Sequence, residues 1–195
     1  MAFHKREDGY VHRTITSPVG RLRLVGSDRG LAAILWENES PHRVRLKLVR
    51  EDDLHPVLVK TERQLREYFA GQRRKFTVRL DFVGTPFQQR VWQALLAIPF
   101  GETRTYAEIA RQLGNGTAVR AVGAANGRNP ISIIAPCHRV IGSDGALRGY
   151  AGGLETKARL LAMEDSRSGT ASRRSPRPRL SRSRPSARSQ HSIAG

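Results

Sequence analysis

The sequence predicts a two-domain chain of the α/β (α+β) class: a small sheet-and-helix unit followed by a helical unit with a helix-turn-helix. Three observations lead there. Short β-like runs separated by turn signals crowd residues 10–36. Past residue 80 the apolar spacing changes from alternation to a helical period. From residue 166 onward, Ser, Arg and Pro replace almost all apolar residues. The boundaries drawn from these shifts are 1–80, 81–165 and a basic tail at 166–195.

Val11–Thr16 and Arg21–Val25 alternate roughly by two, as half-buried strands do, and Leu31–Trp36 is more continuously apolar. Pro18-Val19-Gly20 and Ser27-Asp28-Arg29-Gly30 supply the turns between them. After a charged stretch, His55–Ala70 sets Val57, Leu58, Leu65 and Phe69 at near-helical spacing, with Gly71 as the stop. Phe76–Leu80 returns to alternation and reads as a closing strand.

Pro86 and Phe87 open an amphipathic helix in which Phe87, Val91, Leu95 and Ile98 share one face, halted by Pro99 and Gly101. Thr103 or Thr105 can cap a helix over Tyr106–Leu113, with Glu108 three residues after Thr105 as in a capping box. Gly114-Asn115-Gly116 is a tight turn, and Thr117–Asn126 reads as the next helix. Helix, turn and helix make a helix-turn-helix candidate. Its second helix is nearly all small, with Ala118, Ala121, Gly123, Ala124 and Ala125 around the long Arg120. Such a helix has too few long polar side chains to read base edges in a major groove. It suits close approach to a backbone or minor groove, with Arg120 as an inserted probe. Taken alone, the same pattern equally describes a small face packed on a neighbouring helix with Arg120 solvated.

The single cysteine, Cys137, follows an apolar run, Ile131–Ala135, that resembles a buried strand; Pro136 bars a helix from continuing through it. Isolated cysteines are most often inert core residues. A nucleophilic role needs a base or a positive environment, and His138 and Arg139 are of the right types, although adjacency does not imply a direct Cys–His hydrogen bond. A bridging water would serve.

Composition narrows the setting. With 34 Lys and Arg against 17 Asp and Glu the net charge is +17. Setting aside the eight arginines of the tail leaves +9 on residues 1–165, so the body is itself basic and suited to a polyanionic partner. One cysteine excludes an internal disulfide framework and a thiolate zinc site. No apolar run reaches the ~20 residues of a membrane span, and the N-terminus has no signal-peptide core. The expected context is intracellular and cytoplasmic, nucleoid-associated in a bacterium, without a membrane partner. The tail is expected to be disordered, serving either as a solvated extension or as an electrostatic arm for nucleic acid.

FQQRVWQAL, IPFGETRTYAEIA, RAVGAANGRNP, IIAPCHRVIG and GYAGGLETKARLLAMED run nearly unbroken from Thr85 to Asp165. On these motifs the chain resembles the O6-alkylguanine-DNA alkyltransferases. TSPVG and the strands around it resemble more weakly that family's ribonuclease-H-like N-terminal domain, and the resemblance implies a winged-helix-like character for the helix-turn-helix unit. It further implies an irreversible, single-turnover transfer of the alkyl group from O6-alkylguanine, and less efficiently O4-alkylthymine, to Cys137 after base flipping. His138 would act as base through water and Glu164 would orient it, a base-and-orienter arrangement. Tyr106 would donate to guanine N3, and Arg120 would fill the gap left by the flipped base. Thr117, Ala118, Ala121 and Gly123 would lie against the DNA, and Asn129 would tie that helix to the cysteine loop. Tyr150, Ala151 and Gly152 would close over the base, and backbone carbonyls near Cys137 and Val140 would receive its exocyclic amine. The implied partner is double-stranded DNA bound through the minor groove by a protein monomeric in solution, with cooperativity on DNA left open. No metal or organic cofactor is implied. The chain departs from the family pattern at Gly116, where proline is frequent, and at Ala151, where serine is frequent. A non-catalytic, damage-flagging DNA-binding protein is the alternative from another class, and a cysteine hydrolase is more distant.

Overall fold

The computed structural model describes residues 9–40 and 42–168. The rest of the basic tail expected from residue 166 lies outside the described residues. Its first three positions are the last turn of the final helix, which runs to Ser168.

The turn signals of the first unit produce a hairpin pair. β1 (Tyr10–Ser17) pairs antiparallel with β2 (Gly20–Ser27), and β2 with β3 (Gly30–Trp36). Gly30 has a φ of 145°, and a Cβ there would stand 2.5 Å from the Arg79 carbonyl oxygen, so glycine is required twice over. The neighbour it accommodates is the Phe76–Leu80 segment. The alternation there predicts a strand, but the segment is an extended strap. It touches β3 through one bridge, with Leu31 N donating to Arg79 O (2.8 Å) and Asp81 N to Leu31 O (2.8 Å). A charged stretch not recognised as structured forms instead the edge strand β4 (Leu48–Glu51), parallel to β1, giving the order β3-β2-β1-β4. Charged and exposed side chains suit an edge and blur its period.

α1 (Pro56–Phe69) lies across this sheet and buries Leu58, Leu65 and Tyr68 against Leu22, Leu24, Leu31 and Ile34. At about 1.5–3 kcal/mol for each large apolar side chain, this face accounts for much of the unit's cohesion. The same core takes in Ile131, Ile133, Ile134 and Leu160 from far along the chain. β3 reaches the cysteine loop directly, since Ile34 N donates to Pro130 O (2.9 Å).

The helical unit starts with α2 (Pro86–Leu96), whose N-cap Thr85 forms a capping box with Gln88. β5 (Arg104–Thr105) leads into α3 (Tyr106–Gln112), where the Thr105–Glu108 box forms as the spacing predicts. α4 covers Val119–Gly127 and so begins two residues later than expected, leaving Thr117 and Ala118 outside it and six residues between the helices. Asn115 explains the delay. Its side-chain oxygen accepts from Thr117 N (3.2 Å) and Thr117 Oγ1 (2.7 Å), a local turn that competes with helix. Trp92, buried among α2, α3 and α4, donates from Nε1 to Ala125 O (2.9 Å). A short 3-10 turn (Cys137–Arg139), β6 (Val140–Ile141, parallel to β5) and α5 (Gly153–Ser168) complete the chain. Among the described residues, no helix is long and apolar enough to cross a membrane.

Candidate active site

Asn129 shapes the loop that carries the cysteine. Its Nδ2 donates to Ala135 O (2.8 Å) and its Oδ1 accepts from Ile131 N (3.1 Å), clasping the residues between. Ile131–Ala135 is therefore a buried turn rather than the strand its composition predicts: Ile134 N returns to Ser132 O and Ala135 N to Ile131 O (both 2.9 Å). Ile133 sits at a φ of 73°, a left-handed conformation that is unfavourable for a β-branched residue by about 1–3 kcal/mol. The clasp and the apolar pocket around Ile133 hold it there.

Cys137 opens the 3-10 turn immediately after this loop and is buried. Burial pushes its thiol above the ordinary range; Asn129, Lys157, Arg43 and Ser132 pull in the opposite direction without overcoming it. At rest the group is a thiol, and a base is needed to make it a nucleophile. Arg139, which the sequence offered as a nearby positive charge, serves a different group. Its Nε and Nη2 grip Glu164 (2.8 and 2.9 Å) and its Nη1 donates to Ile98 O (2.6 Å).

His138 is fully buried and its Nε2 meets Glu164 Oε1 at 2.9 Å. Burial lowers the imidazole pKa below its ordinary value, outweighing the opposing pull of Glu164, so the ring is neutral at neutral pH. Because Glu164 is a carboxylate, Nε2 carries the proton, and Nδ1 has the free lone pair. Nδ1 is buried and has no hydrogen-bonding partner among the described residues. Glu164 is no solvated helix end, as a lone glutamate in this position would suggest: it is 1% exposed. Its burial opposes ionisation, but hydrogen bonds from His138 and Arg139 dominate and hold it far below the usual carboxylate range.

Tyr106 starts α3 half-buried, its hydroxyl donating to Arg148 O (3.3 Å); burial and then Cys137 raise its pKa, so it is a proton donor. Val140 O accepts from Lys157 Nζ (2.6 Å), so that carbonyl reaches any further donor only through its second lone pair. Tyr150 stands edge-on to Trp36 (centroids 5.5 Å apart) and to His138 (6.3 Å). Gly152 packs so closely on Trp36 that a Cβ would lie 2.8 Å from the indole. Ala151 lies between them, half-buried. On α4, Arg120 and Ala121 are exposed, whereas Gly123 faces the Tyr106 ring; Thr117 is exposed in the preceding turn and Ala118 half-buried. Cys137, His138, Glu164, Asn129, Tyr150 and Gly152 thus form one cluster, Tyr106 and Val140 flank it, and Arg120 lies on the separate solvent-facing side of α4.

Sequence reasoning missed Tyr68, Lys157 and Arg43. Lys157 is fully buried, donates to Val140 O and Arg148 O (2.6 and 2.7 Å), and burial lowers its pKa to about 8. Its signal was available, because Lys157, Leu160 and Glu164 fall on one helical stripe. Arg43 is paired with Glu39 (2.5 Å) and donates to Ile34 O (3.2 Å) and Asn129 O. Among the described residues, no group of three or more His, Cys, Asp or Glu is placed to hold a metal ion.

Comparison with known proteins gives consistent matches. The family model described as "6-O-methylguanine DNA methyltransferase, ribonuclease-like domain" matches residues 10–82, and "6-O-methylguanine DNA methyltransferase, DNA binding domain" matches residues 86–166. A methylated-DNA–protein-cysteine methyltransferase of Mycobacterium tuberculosis is 49% identical over 156 residues, covering 80% of this chain and 93% of that protein. One from Methanosarcina acetivorans is 48% identical over 151 residues, covering 77% and 95%. Among solved structures, M. tuberculosis OGT in complex with DNA aligns with a TM-score of 0.74 at 49% identity, covering 80% of this chain and 94% of that one.

Proposed function

The chain belongs to the 6-O-methylguanine DNA methyltransferase family, and from that premise we propose that it repairs O6-alkylguanine in DNA by direct reversal, with Cys137 as the acceptor. The observation that carries this reading is the buried Cys137 beside a His138 whose protonated face is fixed by Glu164.

In the proposed reaction the DNA lies against α4, and the damaged nucleotide leaves the stack because a thiol cannot reach O6 within a duplex. Arg120, exposed on α4, fills the space it leaves. The extruded base enters between Tyr106 and the Tyr150–Gly152 segment. His138 Nδ1 takes the Cys137 proton through a water, and the thiolate sulfur attacks the alkyl carbon. The S–C bond forms as the C–O6 bond breaks, and the electron pair returns to the guanine. Tyr106, kept protonated by burial, donates to N3 as charge builds on the leaving base. The product is a thioether with no good leaving group, so each molecule reacts once.

The test is intact-mass spectrometry after incubation with a duplex containing O6-methylguanine. A gain of one methylene's mass, mapped to Cys137 and absent in Cys137→Ala, is expected. Bound DNA whose O6-methylguanine survives unchanged would identify a damage-flagging protein instead, and full demethylation by Cys137→Ala would refute the assignment.

A further inference from the structure

Glu164 is gripped from both halves of the chain. Oε1 accepts from Tyr68 Oη (2.6 Å), His138 Nε2 (2.9 Å) and Arg139 Nη2 (2.9 Å), and Oε2 from Arg139 Nε (2.8 Å) and Gly101 N (3.3 Å). An ionised carboxylate has about four lone-pair sites, so this one is fully occupied. Tyr68 belongs to α1, ninety-six residues from Glu164 in sequence. Its ring is wedged among Phe69 (5.3 Å), Phe76 (5.4 Å) and Phe100 (6.2 Å), which leaves the hydroxyl no other direction. Burial, reinforced by Glu164, keeps the phenol protonated, so it only donates to the carboxylate.

The geometry points to Tyr68 as a positioning residue for alkyl transfer: its hydroxyl shares Glu164 Oε1 with His138 and so limits how firmly the carboxylate grips the imidazole. The inference rests on the proposed roles of Cys137 and His138. Every donor on a carboxylate spreads its negative charge and weakens its pull on the others. With the phenol in place, Glu164 orients His138 but stabilises the imidazolium less, and the ring stays neutral and able to accept a proton. Without it, Glu164 favours the imidazolium, and a larger share of His138 is already protonated at a given pH. The other charged or titratable groups facing the ring are Arg139 beside it, Lys157 from α5, Tyr150 from the preceding loop and Cys137 itself. None of these is altered by removing one phenolic oxygen.

The experiment compares the full chain with Tyr68→Phe in single-turnover methyl transfer from an O6-methylguanine duplex at saturating protein, from about pH 4 to about pH 8, an interval that reaches below the ordinary imidazole range because burial lowers the His138 pKa. The acid limb of the variant is expected to move up by roughly half to one pH unit, which makes it about three- to tenfold slower below the limb and equal to the parent above it. A loss by one factor at every pH, or an unmoved limb, overturns the inference and leaves Tyr68 a packing residue. A second variant with 3-fluorotyrosine at position 68, a stronger donor of nearly the same size, must shift the limb down. Should Tyr68→Phe fail to fold, an unmoved limb in the fluorinated protein overturns the inference by itself. The underlying reading fails differently: the parent protein would leave O6-methylguanine intact, or its acid limb would persist in His138→Asn.

Discussion

The solvent face of α4 and the cluster around Glu164 use polar groups in opposite ways. On α4, Arg120 projects from a surface of Ala121, Ala124 and Gly127, with Arg128 exposed just past its end, and the helix begins after Ala118 without a side-chain cap. Around Glu164 both carboxylate oxygens are engaged by several donors, and the groups are contributed chiefly by α1, the 3-10 turn and α5. A smooth face with two long cations can lie against DNA of any sequence, because it offers few groups that must match a base edge. A saturated buried network tolerates no such latitude, since each missing partner leaves a charge or dipole stranded. In the proposed reaction, damage recognition is thus separated from chemistry: the α4 face would bind without selecting sequence, and the cluster around Glu164 would react without touching the duplex.

The contrast breaks most visibly at Glu164. Glu164→Gln is expected to slow methyl transfer by about two to four orders of magnitude by misorienting His138. It should also destabilise the fold by about 3–5 kcal/mol by leaving Arg139 buried and unpaired. Single-turnover kinetics and denaturant unfolding of the same sample check both halves. On the other side, Arg120→Ala should lower transfer from duplex DNA by about ten- to a hundredfold, because the unstacked state loses its filler. Transfer from the free O6-benzylguanine base should hardly change. Equal losses on both substrates would place Arg120 within the chemistry and dissolve the distinction.

Acid offers a milder probe of the network. His138 has a folded pKa below its unfolded value, so between the two the unfolded chain holds more protons, and stability falls as pH drops through the unfolded value of about 6.5. Glu164, depressed in the folded state, contributes stability that is present above about pH 4.5 and is lost as pH falls further. The thermal midpoint should therefore decline from neutral pH downward in the parent, and the decline should be shallower in Glu164→Gln. The smallest expected effect on chemistry concerns the chain after α5. Arg167 belongs with the fold, since it donates to Tyr68 O and Phe69 O (3.3 and 3.1 Å), so the informative deletion removes residues 169–195 with seven arginines. Nonspecific DNA affinity should lose up to about six from its logarithmic salt slope, while transfer at saturating protein stays the same. An unaltered slope would leave the body of the protein as the whole of the electrostatic surface.

What could be read in advance follows a physical line. The β1–β2–β3 hairpins and the Thr105–Glu108 cap depend on residues a few positions apart, and local patterns announce them. The Ile131–Ala135 run misleads because one side chain, Asn129, overrides a strong β propensity. Phe76–Leu80 alternates correctly but finds a partner along only one residue of β3, and β4 pairs despite a charged sequence. In the site, Cys137, His138 and Glu164 were legible only through the resemblance that linked their motifs. Arg139 was noticed for its charge and assigned to the wrong neighbour. Tyr68 and Arg43 left no trace, because the contact that ties each to the site reaches a partner some ninety positions away.

That long reach has a consequence for synthesis. During translation, α1 and the sheet emerge first, the cysteine loop later, and Glu164 almost with the end of α5. Until that last helix has left the ribosome, Tyr68 and Arg139 have no carboxylate to hold and the His138 ring has nothing to set its orientation. A nascent chain therefore carries its single thiol without the base proposed to activate it. For a protein proposed to react once and then be used up, this ordering ties base-assisted transfer to the finished fold, and an unburied thiol on the nascent chain has only its ordinary acidity.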